Sequence, residues 1–381
     1  MSRYSELGVD VKKRGVESFR EIVENLFPNA FCIIQRDPDN PRAGLVAHTD
    51  GAGSKPIQSY LHWRETGDPT WFQGLAQDVI AMNLDDITCV AAKPVSFIDY
   101  ITLNPYTVHR ISLLESLAKG FSQCFKILKN LGISIPFAGG ETADHPDQLR
   151  TLDVSGSIFG RVGLDKVVTG EKIEPGDLIV GLESGGKAKY ERCLNSGIMC
   201  NGLTLARNCL MDKRYASMYP EISYNVDRFT GRYKFDEYLD ELEMTVGEAL
   251  LSPTRIFTPI VNKILSENGE PVHAMVHNTG GGVTKCLRLG HGIHYIKDSL
   301  PEPSPIFRLI QRESKTDWQE MYEDFNMGVG FELIVKPESV DEIINIAEGF
   351  NVKAMVIGHC EKSKAQNRLT VSSRFGKFMY I

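Results

Sequence analysis

Three short stretches of the chain place a carboxylate or an amide beside a glycine turn, each directly after an apolar run. They lie at residues 49–55 (TDGAGSK), 139–144 (GGETAD) and 278–282 (NTGGG). Glycines let backbone N–H groups approach phosphate oxygens, carboxylates hold the magnesium that accompanies a nucleotide, and a lysine adds positive charge. Because the stretches are spread over both halves of the chain, they indicate phosphate chemistry between two domains.

Side chains in and near the first two stretches supply the expected nucleotide site. The residues expected to bind ATP phosphates are Asp50, Gly51, Gly53, Ser54, Lys55, Gly139 and Gly140. The carboxylates expected to hold magnesium are Asp50, Asp78, Asp86 and Glu141, although some of them could instead be helix caps or turn residues. Asp78 and Asp86 are eight residues apart on one expected helix, which places them within about 80° of each other around its axis.

Two residues are expected to act in catalysis, and a further group is expected to bind substrate. Lys55 could reach the transferring phosphate, with a surface lysine as the alternative. His277 is the preferred proton carrier over His48 and His145, because an ordinary histidine pKa of about 6.5 suits that role; a buried strand histidine is the alternative. The residues expected to contact substrate are Asn201, Gly202, Arg255, Thr279, Gly280, Gly281 and Gly282, although Arg255 could pair within its own domain.

The elements that must position these residues alternate between strands and helices. The first half predicts strands at residues 42–48, 94–103, 133–138 and 152–162, and helices at 71–92 and 107–131. The second half predicts strands at 177–182, 272–276, 330–335 and 353–358, and helices at 202–211, after Thr254, and at 339–349, with an insertion at 212–244. This pattern predicts two α/β domains with mixed sheets backed by helices, the second ending in a β-α-β unit.

Bulk properties agree with two domains in one chain. With 381 residues the chain exceeds one ordinary core, and the boundary is expected near residue 165, giving a nucleotide domain (1–165) and a substrate domain (166–381). A net charge of −7 disfavours a general nucleic-acid partner. The eight cysteines form no Cys-x-x-Cys pair, and the apolar runs are too short to span a bilayer. We therefore expect a cytoplasmic protein with reduced thiols.

The motifs taken in order resemble those of the aminoimidazole ribonucleotide synthetase family, also called phosphoribosylformylglycinamidine cyclo-ligases. The resemblance runs from Tyr4 to about Cys360. Its motifs are residues 4–10, 49–55, the Asp86/Ala91/Ala92/Pro94 signature, 139–142, 253–256, 278–282 and 325–330. Each motif is weak by itself, but the ordered series is specific to this family and its relatives.

The resemblance implies a homodimer whose N-terminal sheets join across the dimer, with ATP and Mg²⁺ used to close a ring in purine synthesis. The substrate would be formylglycinamidine ribonucleotide and the product aminoimidazole ribonucleotide. Two departures are Ala91 in place of a signature glycine and Met199 where the family has a histidine. The alternatives are a related ATP-using enzyme with another acceptor, or a non-catalytic nucleotide-binding protein on the same fold.

Overall fold

The computed structural model describes residues 3–10, 13–19, 21–267, 269 and 272–381. Its strands are β1 (Gln35–Arg36), β2 (Ala43–Gly51), β3 (Lys93–Leu103), β4 (Phe137–Asp144), β5 (Leu152–Gly163), β6 (Leu178–Glu183), β7 (Tyr238–Leu239), β8 (Met244–Thr245), β9 (Ala274–His277), β10 (Ile293–Lys297), β11 (Val329–Val335), β12 (Ala354–Lys362), β13 (Arg368–Ser373) and β14 (Gly376–Tyr380). Its α-helices are α1 (Arg3–Glu6), α2 (Lys55–Thr66), α3 (Gln73–Thr88), α4 (Arg110–Asn130), α5 (Leu203–Leu210), α6 (Arg214–Met218), α7 (Val246–Leu251), α8 (Thr258–Glu267), α9 (Pro305–Ser314), α10 (Trp318–Asp324) and α11 (Val340–Gly349).

The first sheet has the strand order β1-β2-β5-β3-β4, in which β3 and β4 are parallel and the other pairs antiparallel. Helix α3 packs on β2 and β5 and also touches α4 and α8. It is buried almost all round, which explains why its sequence is apolar on more than one face. Because α8 and α7 belong to the second half, α3 joins the two halves through α8, and α2 joins them through α7.

The other face of this sheet is exposed. Along β5, Val154, Ile158 and Val162 are buried against the helices, whereas Phe159 points away from them and is exposed. This is the alternation expected when one face of a strand is covered. The exposed face also carries Tyr100 of β3, and Phe159 is opposite Ala47 in the ladder.

The second sheet has the strand order β14-β13-β10-β12-β6-β11-β9 and mixes parallel and antiparallel pairs. Strand β11 is buried along its whole length. Strands β11 and β12 are connected by α11 and are both antiparallel to β6, which lies between them. The two-domain α/β fold with mixed sheets is thus confirmed. Strands β11 and β12 with α11 between them match the expected β-α-β unit, but this unit does not end the chain, because β13 and β14 follow as an antiparallel pair. The boundary near residue 165 stays a prediction.

The second glycine stretch lies inside a strand rather than in a turn. Strand β4 extends from Phe137 to Asp144 and includes Gly139, Gly140 and Glu141. Gly139 has φ +89°, and the ladder with β3 shifts register between Phe97 and Asp99. A Cβ on Gly140 would collide with the Asp99 side chain. The glycines are therefore required by this irregular pairing. The expected turn is a strand, and phosphate binding by Gly139 and Gly140 stays a prediction.

The expected insertion packs on α2 through an aromatic cluster. Its segment contains α6, β7 and the first residue of β8. The ring of His62 lies 4.5 Å from that of Trp71 and 4.7 Å from that of Phe235. No described residue gives either His62 ring nitrogen a hydrogen-bond partner. Burial therefore lowers the pKa of His62 to about 3.

Among the residues that the structure describes, no helix has the length and apolar character needed to cross a membrane.

Candidate functional site

A cleft of about 390 Å³ opens between the two halves of the molecule. The first half contributes the end of β2 and the turn after it, together with the last turns of α3. The second half contributes the loop before α5 and the glycine-rich loop after β9. The predicted site residues that line it are Asp50, Gly51, Gly53, Asp86, Asn201, Thr279 and Gly280.

The turn after β2 brings the two halves into contact. Asp50 is half-buried, and its Oδ1 accepts a hydrogen bond from the Gly51 amide at 2.8 Å. Gly53 has φ +59°, and a Cβ there would lie 2.7 Å from the Cys200 carbonyl oxygen. A glycine is therefore needed both for the left-handed conformation and for the close approach. The turn thus places Asp50 opposite the loop that carries Asn201.

Asp86 is the electrostatic centre of the cleft floor. Its Oδ1 is 2.7 Å from His277 Nδ1, and its Oδ2 is 3.2 Å from His48 Nε2 and 4.0 Å from Lys285 Nζ. Burial by itself would raise the pKa of Asp86, but Lys285 and the two histidines outweigh it and hold the pKa well below its ordinary value. Asp86 is therefore an ionised carboxylate enclosed by three basic side chains.

The histidine that reaches the cleft is His48 rather than His277. His277 is fully buried, and its Nε2 has no hydrogen-bond partner among the residues described. The prediction that His277 carries protons at the site is therefore wrong as to position, because its ring supports Asp86 from behind. Burial lowers the pKa of His48, but the Asp86 carboxylate and Asn83 more than offset this and raise it above its ordinary value.

Besides Lys13, positive charge in the cleft comes from Lys285 and Arg288, which sequence reasoning missed. Lys285 Nζ donates to Thr279 Oγ1 and lies 4.7 Å from the centroid of the Phe31 ring. Both basic residues lie on the 3₁₀ helix Gly282–Arg288 that follows the triple glycine. Residues three apart share one face of a 3₁₀ helix. The Lys-x-x-Arg spacing after the glycines was the available signal.

The Asn201 loop and the triple glycine differ in what they present to the cleft. Asn201 lines the wall, and its buried Nδ2 lacks an acceptor in the described part of the chain. Gly202 lies behind it with φ +73°, where a Cβ would collide with the Phe325 ring. Gly281 and Gly282 have φ +95° and +49° and shape the turn, whereas Gly280 lines the cleft. Gly202, Gly281 and Gly282 do not line the cleft but shape the backbone of its walls, and their binding of substrate stays a prediction.

Lys55 and Asp78 lie outside the cleft, which corrects both predictions. Lys55 Nζ is 2.7 Å from Asp78 Oδ1 and 2.8 Å from the Ser252 carbonyl oxygen, and both side chains are fully buried. Thr254 donates its N–H and its hydroxyl to the same Asp78 oxygen, each at 2.7 Å. Eight helical residues span about 12 Å along the axis. The small angle between Asp78 and Asp86 therefore does not bring them together.

Arg255 and Ser54 are also engaged elsewhere. The fully buried Arg255 donates to both carboxylate oxygens of Glu191, at 2.9 and 2.7 Å, so the alternative of an ion pair within its own half is correct. Ser54 Oγ accepts from Thr204 at 3.0 Å. Neither side chain lines the cleft.

Glu141 lies on the far side of the first sheet from Asp50. It is exposed on β4 and is paired with Tyr100 of β3. Tyr100 is paired with Ser155 of β5, and Ser155 is paired with Gly51 of β2, so these four residues form one row across the sheet. Three strand spacings separate the two ends of that row by about 14 Å. Among the described residues, no group of three or more His, Cys, Asp or Glu side chains is placed to hold a metal ion. The four expected magnesium ligands therefore do not form one cluster.

Comparison with known proteins identifies the family. Residues 29–162 match the model for the AIR synthase related protein, N-terminal domain, and residues 174–369 match that for its C-terminal domain. The phosphoribosylformylglycinamidine cyclo-ligase of Methanothermobacter thermautotrophicus is 35% identical over 356 residues, which are 91% of each chain. That of Methanocaldococcus jannaschii is 34% identical over 323 residues, 85% of this chain and 80% of its own.

Solved structures agree with the fold. AaThiL complexed with AMPPCP and TMP is similar with a TM-score of 0.57 at 12% identity, covering 96% of both chains. The hydrogenase maturation protein HypE has a TM-score of 0.53 at 13% identity, covering 88% of this chain and 87% of its own. At these identities the likeness concerns the fold alone. With both family domains matched along most of its length, the chain belongs to the AIR synthase related protein family.

Proposed function

We propose that this protein is an ATP-dependent phosphoribosylformylglycinamidine cyclo-ligase, which converts formylglycinamidine ribonucleotide to aminoimidazole ribonucleotide in purine synthesis. The observation that carries the proposal is its 34–35% identity, over most of both chains, to archaeal enzymes of that name. The cleft supports it, because acidic residues of one half face basic and amide-bearing residues of the other.

The cleft residues suit a nucleotide that arrives with magnesium. Burial and the nearby Asp86 charge raise the pKa of Asp50, so negative charge is crowded at this wall. A divalent cation would relieve that crowding, and Mg²⁺ in nucleotide sites commonly uses one or two carboxylates together with phosphates. We therefore propose Asp50 as the protein ligand of Mg²⁺, in place of the four-carboxylate set expected from the sequence. Bound Mg²⁺ would neutralise charge on the transferring phosphate.

Ring closure needs the amide oxygen to become a leaving group. We propose that the oxygen is phosphorylated by ATP and that an internal nitrogen then displaces the phosphate. Lys285 and Arg288 neutralise phosphate charge, a role expected of Lys55 from the sequence. Asn201 and Gly280 hold the substrate at the opposite wall, whereas both ring nitrogens of His48 stay paired with Asn83 and Asp86.

The test compares Asp50→Asn with Asp39→Asn, a matched change at an exposed carboxylate. ADP release and aminoimidazole ribonucleotide formation are measured with ATP, Mg²⁺ and formylglycinamidine ribonucleotide. We expect Asp50→Asn to lower kcat/KM at least about a hundredfold, as for loss of a charge-stabilising group, and Asp39→Asn to behave as wild type. Wild-type protein that hydrolyses ATP but forms no product would refute the assigned substrate.

One observation favours a second candidate, a related enzyme that phosphorylates another acceptor. Met199 stands where the family has a histidine, and it is buried with φ +60°. No proton-bearing side chain is present at that position. If formylglycinamidine ribonucleotide is not turned over, ADP release with other amides and phosphorylated metabolites would identify this alternative.

We also propose a homodimer in which the exposed faces of the first sheets meet. Phe159 and Tyr100 are large side chains left exposed on that face, and exposed apolar patches are typical of interaction sites. Phe159→Asp should convert the dimer to a monomer in analytical ultracentrifugation. Tyr106→Asp, at a tyrosine that is 87% exposed outside the sheet, is the matched control and should leave the dimer intact. A wild-type monomer at micromolar concentration would refute the proposal.

A further inference from the structure

The glycine-rich loop at residues 278–283, called here the glycine loop, is tied at both ends to one buried carboxylate. Glu332 of β11 accepts through Oε1 from Asn278 Nδ2 at 2.7 Å and from Lys297 Nζ at 2.7 Å. Lys297 Nζ also donates to the Val283 carbonyl oxygen at 2.6 Å. The first residue of the loop, Asn278, is thus bonded to Glu332. Its last residue, Val283, is bonded to Lys297, which Glu332 holds in turn.

We infer that Lys297 and Glu332 are positioning residues that hold the glycine loop in the shape in which Thr279 and Gly280 face the ligand. Neither residue lines the cleft, so both act through the loop. The inference rests on the proposed function for the identity of the ligand, but the geometry of the loop is independent of it.

Other hydrogen bonds also hold the first residues of the loop: the Asn278 N–H donates to the Gly330 carbonyl oxygen at 2.9 Å, Asn278 Nδ2 donates to the Val329 carbonyl oxygen at 3.0 Å, and Lys285 Nζ donates to Thr279 Oγ1. Gly281 and Gly282 both have positive φ, and glycine loses more conformational freedom on ordering than any other residue. Within the loop the Gly282 N–H donates to the Thr279 carbonyl oxygen at 2.8 Å. Fixing the two ends therefore removes much of the freedom that the three glycines would otherwise allow.

The chemistry of the Lys297–Glu332 pair indicates positioning more than stability. Both side chains are fully buried, and the desolvation of two buried charges offsets most of their attraction. Glu332 Oε2 and Asn278 Oδ1 find no partner among the residues that the structure describes, which adds a further cost. Replacement of a buried ion pair by apolar residues of similar size is often neutral for stability, but an apolar pair could not bond Asn278 and the Val283 carbonyl at the same time.

The experiment replaces the pair by apolar residues in the double variant Lys297→Met/Glu332→Leu. The matched control is Arg255→Met/Glu191→Leu, which removes another buried ion pair away from the cleft. Hydrogen exchange of the apo protein reports the loop directly. We expect the amides of residues 279–283 to exchange about tenfold faster in the first variant, with β9 and β11 unchanged, and to keep wild-type rates in the control. With ATP and formylglycinamidine ribonucleotide, KM should rise about tenfold while kcat changes less.

Loop exchange within twofold of wild type, or an equal acceleration in the control, would overturn the inference. If the double variant does not fold, Asn278→Leu leaves the Lys297–Glu332 pair in place but removes the bond between the loop and Glu332, and its loop amides should exchange about threefold faster. Unchanged exchange in that variant would overturn the inference equally. Absence of cyclo-ligase turnover in wild-type protein would remove the proposed substrate but would leave the exchange result decisive.

Discussion

Replacement of Lys55 by methionine separates a catalytic role from a structural one. The sequence alone favours a lysine that contacts phosphate, whereas the structure buries it against Asp78 and the Ser252 carbonyl. Methionine preserves most of the side-chain volume but removes the charge and the donors. Asp78 would then remain fully buried with Thr254 as its partner, and its Oδ2 already lacks a partner among the described residues.

The magnitude follows from that burial. Removal of one member of a buried ion pair typically destabilises a protein by about 3–5 kcal/mol. With a urea m-value of about 2–3 kcal/mol per M, the unfolding midpoint should fall by about 1–2 M. Activity should change little under conditions where the variant is folded, with kcat/KM within about threefold of wild type.

The assay is urea unfolding followed by circular dichroism, with ADP release measured on the same preparation. The double variant Lys55→Met/Asp78→Leu is the control, because it removes the stranded carboxylate and should recover part of the lost stability. A Lys55→Met protein with a wild-type midpoint and no ADP release would refute the structural role and restore the phosphate contact.

Three further changes test other parts of the molecule. Lys285→Met should raise the KM for ATP at least about tenfold and should also lower the unfolding midpoint, because Asp86 loses a basic partner; an unchanged KM in the folded variant would contradict a role in the cleft. Burial lowers the pKa of His62 to about 3, whereas the unfolded value is about 6.5, so between these pH values the unfolded chain binds one more proton than the folded protein. The free energy of unfolding should therefore fall by up to about 1.4 kcal/mol per pH unit as the pH drops below 6.5. Urea midpoints measured at pH 7, 6 and 5 should fall less steeply for His62→Leu than for wild type, and equal slopes would contradict this. Gly202→Ala should destabilise the protein by about 1–3 kcal/mol through backbone strain and contact with the Phe325 ring, measured by thermal unfolding against Gly67→Ala, where a Cβ meets no atom within 4 Å.

Much of the fold could be predicted from local patterns. The strands β2, β3 and β5 and the helix α4 fall close to their expected ranges, because alternation and helical spacing of apolar residues report burial directly. No prediction was made for β10, β13, β14, α9 and α10. Strand β4 differs from its expected range, because a glycine pair belongs to an irregular strand. The side chain of Asp99, 41 positions away from Gly140, decides that local structure.

The sequence by itself determined the two-domain α/β plan, the turn at Asp50 and the loop at Gly280, since each depends on residues adjacent in the chain. Only the tertiary structure decided which charged side chains face the cleft. Lys55 and Arg255 are removed from it by Ser252 and Glu191, partners that lie 197 and 64 residues away. The reason is physical: a charge is buried or exposed according to the partners that the fold supplies, and those partners cannot be identified from local sequence.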